Sequence, residues 1–169
     1  MDLYAATVPP LKRLTAAVPR LLDRLDTPAQ LEARLAPDGF NAAEHLCVAL
    51  GYVARTVLPL MGDDVPEMPM DADPGAILAL AQDMGFLLDQ LRPDAFEGAE
   101  TRTITHSAGD PTLTQTGAEY ATLYALPNAH FHLSLGYATL RMAGANIGKG
   151  DLERFHHYAP DTNFAADTR

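Results

Sequence analysis

Four stretches of the chain place apolar side chains at alternating steps of three and four residues, and no other feature constrains the fold as much. Leu11, Leu14, Val18, Leu21 and Leu25 form one series, and Leu46, Leu50, Val53, Val57 and Leu60 a second. Ile77, Leu80, Met84, Leu87 and Leu91 form the third, and Tyr124, Phe131, Leu135, Ala138 and Met142 the fourth. This alternation keeps one stripe of each helix against a neighbour at a small crossing angle, as in helices packed near-parallel or antiparallel. The expectation is an all-α four-helix bundle. A chain of 169 residues fits one domain whose core needs no covalent staple.

Helix boundaries are written locally. Thr27-Pro28-Ala29-Gln30 is a capping box with proline at the first helical position, opening a short helix that ends before Ala36-Pro37-Asp38-Gly39. Asn41-Ala42-Ala43-Glu44 and Thr116-Gly117-Ala118-Glu119 are further boxes, and Asp73-Pro74 opens the third long helix after a loop holding Pro66 and Pro69. Pro127 predicts a kink or restart in the last helical region, while Pro19 and Pro59 predict kinks in the first two helices. Between the third and fourth series, Thr101–His106 and Thr112–Thr116 flank a Ser-Ala-Gly-Asp-Pro turn and are rich in β-branched residues, which predicts a small β-hairpin. Residues after Gly150 lose the pattern and read as a tail.

Charge excludes several partners. The net charge of -10 argues against nucleic acid and against anionic membrane surfaces, since both demand clustered Lys and Arg. No apolar run reaches the roughly 18 residues that span a bilayer, and the N-terminus lacks a basic segment followed by a long apolar run. Cys47 is the single cysteine and lies in an apolar helical stretch, so it reads as a buried, inert thiol in a reducing compartment. A cytoplasmic protein is expected.

Signature motifs for phosphate loops, serine nucleophiles and paired cysteines are missing. Gly144-Ala145-Asn146-Ile147-Gly148-Lys149-Gly150 resembles a phosphate loop only superficially: its spacing is wrong and it follows a helix, so it reads as a helix stop. The histidines carry more. His132 flanks the fourth seam with Asn128 one turn earlier, a spacing that lets two side chains converge on one ligand, and His45 flanks the second seam. His45, Asn128 and His132 would meet at one polar spot if the second and fourth helices face each other. The plainer alternative is a half-exposed His45 and a hydrogen-bonded His132 at the rim. His130 turns to the opposite face, His106 falls in the hairpin, and His156-His157 lie in the tail. Met61, Met68 and Met70 read as loop packing, with no cysteine beside them to make a soft-metal site.

Ala125-Leu126-Pro127-Asn128-Ala129-His130-Phe131-His132, Gly136-Tyr137-Ala138-Thr139-Leu140-Arg141 and Ile147-Gly148-Lys149-Gly150-Asp151-Leu152 together resemble an uncharacterised bacterial family of unknown function. Leu3-Tyr4, Val8-Pro9, Ala36-Pro37-Asp38 and Ala95-Phe96-Glu97-Gly98 carry the same likeness, which spans about residues 1–152 and leaves 153–169 as the C-terminal tail. That family is similar to the DinB-like superfamily of metalloenzymes. The resemblance implies an up-down-down-up four-helix bundle, often a homodimer through helix faces. It also implies a divalent metal, commonly nickel or zinc, on one histidine of the second helix and an HxxxH pair of the fourth, and in some members a thiol-dependent transferase or isomerase.

Carried over by position, His132 matches the second histidine of the pair and Asn128 replaces the first. The second-helix ligand falls near Val48, one turn beyond His45. His45 and His132 remain as metal candidates, with no cofactor assured. Three readings follow. One is a dimeric protein whose degenerate metal pocket binds metal weakly or not at all. Another is a nickel- or zinc-dependent, thiol-dependent transferase or hydrolase, and the third is a module binding a small molecule.

Overall fold

The computed structural model describes residues 1–158 and 162. Four long helices dominate them: α1 (Leu3–Leu22), α2 (Ala42–Met61), α3 (Pro74–Gln90) and α5 (Leu126–Met142). A two-stranded antiparallel sheet, β1 (Thr103–Ser107) and β2 (Thr112–Thr116), stands between α3 and the last helical region. Two short helices complete the set, α4 (Gly117–Glu119) and α6 (Lys149–Glu153). Among the described residues no helix is long and apolar enough to cross a membrane.

The caps form as their residue types dictate. Asn41 accepts from the Glu44 N–H at 2.8 Å while the Glu44 carboxylate accepts from the Asn41 N–H at 2.7 Å. Thr116 and Glu119 make the same reciprocal pair at the start of α4, and Thr27 with Gln30 caps a 3₁₀ turn over Pro28–Glu32. Asp73 accepts from the Ala76 N–H at 3.0 Å and starts α3. Each box satisfies amide donors that a helix start otherwise leaves without partners.

α2 is the central element. Its seam residues Leu46, Leu50, Val53, Val57 and Leu60 are all fully buried, and it packs on α1, α3 and α5. Leu11, Leu14, Val18 and Leu21 of α1 and Ile77, Leu80 and Met84 of α3 face the same core, with Leu88 fully buried where Leu87 is half-buried.

The fourth seam differs from the expectation. Phe131 is 56% exposed, Met142 55%, and Ala138 also faces solvent. The buried stripe is Ala125, Ala129, Leu133, Gly136 and Leu140. It keeps the same three-four spacing but is built largely from small residues. A Cβ at Gly136 would lie 2.9 Å from Leu46 Cδ2, so α5 approaches α2 too closely for any side chain at this position.

Prolines act mildly. α1 ends at Leu22 and α2 at Met61, each within one turn of Pro19 and Pro59. Before Pro127 the helix widens without a break: Tyr120–Ala125 is π-helical, the Leu126 N–H bonds the Ala121 carbonyl, and α5 follows directly. The wide turn suits a residue that lacks an N–H and would press its ring on the carbonyl four residues back. Past Gly144, whose φ of 87° is left-handed, the chain turns into α6 against α1.

Backbone approach is tightest at Gly117, where an added Cβ would lie 1.9 Å from the Ala99 carbonyl oxygen. Because backbone must move to relieve it, Gly117→Ala is expected to cost about 1–3 kcal/mol. Gly39→Ala, with its nearest neighbour 3.5 Å from the new Cβ, should change little. Denaturant melts of the two variants check the contrast.

Candidate functional site

His45 lies in the first turn of α2, its N–H bonded to the Asn41 carbonyl at 3.0 Å. His132 lies one turn before Gly136 on α5. The absent side chain at Gly136 draws the two helices together, and the imidazoles meet with Nδ1 to Nδ1 at 3.0 Å. One ring therefore carries its proton on Nδ1 and donates to the bare Nδ1 of the other.

Aromatic rings enclose the pair. Phe40 stands edge-on to His45 at 5.6 Å between centroids, and Phe131 edge-on to His132 at 5.2 Å. Tyr52 stacks on His132 at 6.1 Å. The Tyr52 hydroxyl donates to that of Tyr124 at 3.3 Å, which donates to the Ser107 carbonyl of β1 at 3.3 Å. Tyr120 donates to the Arg55 carbonyl and, with Tyr124, packs on His106 at centroid distances of 4.8 and 4.2 Å. The π turn presents Tyr120 and Tyr124 to this strip.

These surroundings disfavour charge. Burial pushes His132 down to about 4, and the nearby His45 and Arg55 add to it. Burial also lowers His45, opposed by Glu44. Burial raises the Tyr52 hydroxyl, and pushes that of Tyr120 up to about 12. At neutral pH His45, His132, Tyr52 and Tyr120 are neutral hydrogen-bonding groups.

Asn128 is placed differently from its sequence neighbours. Its Nδ2 donates to the Tyr124 carbonyl at 2.7 Å, and no hydrogen bond joins it to either histidine. It serves the backbone where the π turn meets α5. His45 and His132 thus come together, while the Asn128 amide is engaged by the Tyr124 carbonyl. Among the described residues no group of three or more His, Cys, Asp or Glu is arranged to hold a metal ion, and no buried side-chain N or O lacks a partner. The donor set does not fit a three-ligand metal centre.

Cys47 is buried, its thiol donates to the Asp71 carbonyl at 3.3 Å, and burial raises its pKa, so it stays a thiol. His130 bonds the Leu126 carbonyl away from the pair, and His156 pairs with Glu153 at 2.6 Å. Phe40, Tyr52 and Tyr120 were not singled out from the sequence, and Tyr124 was read only as a seam residue. One signal existed: Tyr52 follows His45 by seven residues, two turns along the same face. Beside the strip opens a pocket of about 600 Å³, with Arg55, His106, Tyr120 and Tyr124 among its walls and Asp63, Asp64 and Glu67 also lining it.

Residues 3–152 match the family described as Domain of unknown function (DUF1993). No match was found among curated proteins. Among solved structures the chain is similar to the crystal structure of a DinB family member from Shewanella denitrificans, with TM-score 0.81 and 24% identity, over 94% of this chain and 96% of that one. At this identity the likeness carries the fold, which is DinB-like.

A base held below its ordinary value makes folding weaker in acid, because the unfolded chain takes up a proton that the folded one refuses. Stability should therefore fall as pH drops from 6.5 towards about 4, the window set by His132. NMR titration of the ring protons should place His132 near 4 and move it upward, though not fully to 6.5, in His45→Ala, since burial remains.

Proposed function

We propose that this chain, which belongs to the DUF1993 family, is a cytoplasmic, homodimeric protein with the up-down-down-up order of a DinB-like four-helix bundle. In it a metal pocket has degenerated to a two-histidine polar site that holds a divalent cation weakly or not at all. The observation that carries this reading is the donor set: two Nδ1 atoms 3.0 Å apart, with the third position occupied by an amide bonded to the Tyr124 carbonyl. Two imidazoles leave most of the coordination to water, and a neutral amide is a weak ligand for nickel or zinc.

Two measurements test it. Untagged protein incubated with nickel or zinc and dialysed should retain far less than one metal per chain. Asn128→His, which supplies a third imidazole, should tighten binding by more than the ~10–100-fold that an outer-shell change brings. Stoichiometric metal in the native protein that vanishes in His132→Ala would replace this reading with a metal-dependent enzyme. Equal affinity in Asn128→His would refute the idea that position 128 is a lost ligand.

A small-molecule module is the second reading, and the pocket of about 600 Å³ beside Tyr124 favours it. That size suits a metabolite-scale ligand.

The dimer is assigned to the outer face of the last helical region, where Leu123, Phe131 and Met142 are 69%, 56% and 55% exposed. Large apolar side chains left together in solvent mark association surfaces. Sedimentation velocity should show a dimer that dissociates in Leu123→Glu/Met142→Glu. A monomeric native protein would refute the assignment.

A further inference from the structure

Cations are not spread evenly over this acidic chain. Two adjoining pockets of about 480 and 420 Å³ open where α1, the end of α5 and α6 come together, and they share Arg24, Lys149 and Asp151. Arg20, Arg24, Arg141, Lys149 and Arg154 line them, five of the chain's 12 Lys and Arg, against Asp151 as the single carboxylate of the two linings among the described residues. A chain carrying 22 acidic residues thus sets five cations around one concavity.

The fold holds them there. Arg20 Nε donates to the Asp151 carbonyl at 2.8 Å and its NH2 to that of Leu152 at 3.3 Å, tying α6 to α1. A Cβ at Gly150 would lie 2.6 Å from the His156 carbonyl oxygen, so glycine lets the following segment fold back and bring Arg154 into the wall. Asp151 is already engaged: Oδ2 accepts from the Gly148 N–H at 2.8 Å, and Oδ1 lies 3.7 Å from Arg24. Lys149 Nζ faces His156 Nε2 at 3.4 Å, Arg141 donates to the Tyr137 hydroxyl, and neither of these cations nor Arg154 has a carboxylate partner among the described residues. Like charges crowd each other here. Burial holds the Arg20 guanidinium below its usual range, and Arg154 and Arg13 add to this while Asp151 opposes it.

We propose that this concavity binds a compact phosphoryl anion, either free inorganic phosphate or pyrophosphate or the phosphate end of a small metabolite, through Arg24, Lys149 and Arg154. A tetrahedral dianion accepts from guanidinium forks and an ammonium arriving from different directions, whereas one planar carboxylate is satisfied by a single fork. Metabolite-sized pockets fit such a ligand, and the overall negative charge of the chain disfavours long polyanions. Gly148-Lys149-Gly150, which lies outside any phosphate-loop spacing, contributes its lysine through this tertiary arrangement.

Titration of the untagged full chain with inorganic phosphate, pyrophosphate and glycerol phosphate, followed by ³¹P NMR and calorimetry in low-salt buffer, tests the proposal. Saturable one-to-one binding is expected, weakened by about tenfold or more in Lys149→Gln and in Arg154→Gln, since each removes one charge-assisted hydrogen bond. Lys12→Gln, whose lysine pairs with Asp89 elsewhere, should bind as the native chain does. Tightest binding of glycerol phosphate would assign the site to a phosphorylated metabolite, and tightest binding of either inorganic anion to the free ion. No saturable binding up to about 10 mM of all three would overturn the proposal. So would equal affinity in Arg154→Gln, an exposed position whose loss should leave the thermal melt unchanged.

Discussion

Most of what is distinctive in this molecule depends on how closely α5 lies along α2. Gly136 has no side chain where a single methyl would meet Leu46, and Ala125 and Ala129 continue the small-residue stripe above it. Small residues let two backbones approach, and the leucines and valines of α2 fill the narrow space between them from their own side. Leu133 and Leu140 fill the room the seam leaves on either side of Gly136, and other large residues of the last helical region face outward. Phe131, Met142 and Leu123 cannot enter a seam that narrow, and they form the exposed face instead.

The same closeness makes the histidine pair. Two imidazoles in a wider groove would each find water, whereas here Nδ1 meets Nδ1 inside a ring of Phe40, Phe131 and Tyr52. Burial then sets the chemistry. Charge is unfavourable among apolar rings, so both imidazoles stay neutral with one N–H between the two Nδ1 atoms, and the Tyr52 and Tyr120 phenols stay protonated. Asn128 answers to a different demand. The π turn before Pro127 rearranges the backbone hydrogen bonds, and the Asn128 amide donates to the Tyr124 carbonyl there. A residue needed to settle the backbone is a poor candidate to orient a metal.

Where α1 ends against α6 the governing force is electrostatic. Arg20 binds two carbonyls of α6 and Arg13 stacks over Phe155 at 3.8 Å, so the segment after Gly148 is fastened to α1 by cations. The segment from Glu153 to Phe155 lies along α1 through these contacts, although Arg154 to Tyr158 are exposed. The remaining tail positions 159–161 and 163–169 lie outside the described residues. The histidine pair and the basic concavity draw on different physics, one on exclusion of charge and the other on its concentration.

Capping and periodicity were legible because each involves residues within four positions of one another. Asn41 with Glu44, Thr116 with Glu119 and the α2 seam needed no partner beyond their own helix to be read. The hairpin was legible for the same reason, since its strands are joined by a short turn. His45 and His132 were legible as candidates, flanking their seams, but their meeting joins residues 87 positions apart and needed the packing of α5 on α2. The buried face of α5 was not legible, since Phe131 and Met142 ordinarily signal burial whereas Ala129 and Gly136, which the close approach to α2 buries, do not. By itself the sequence determined the long helices, their capping boxes and the core seam of α2. Only the tertiary structure decided which residues share a site, because helix-to-helix distance is set by side chains on both partners at once and no single helix encodes it.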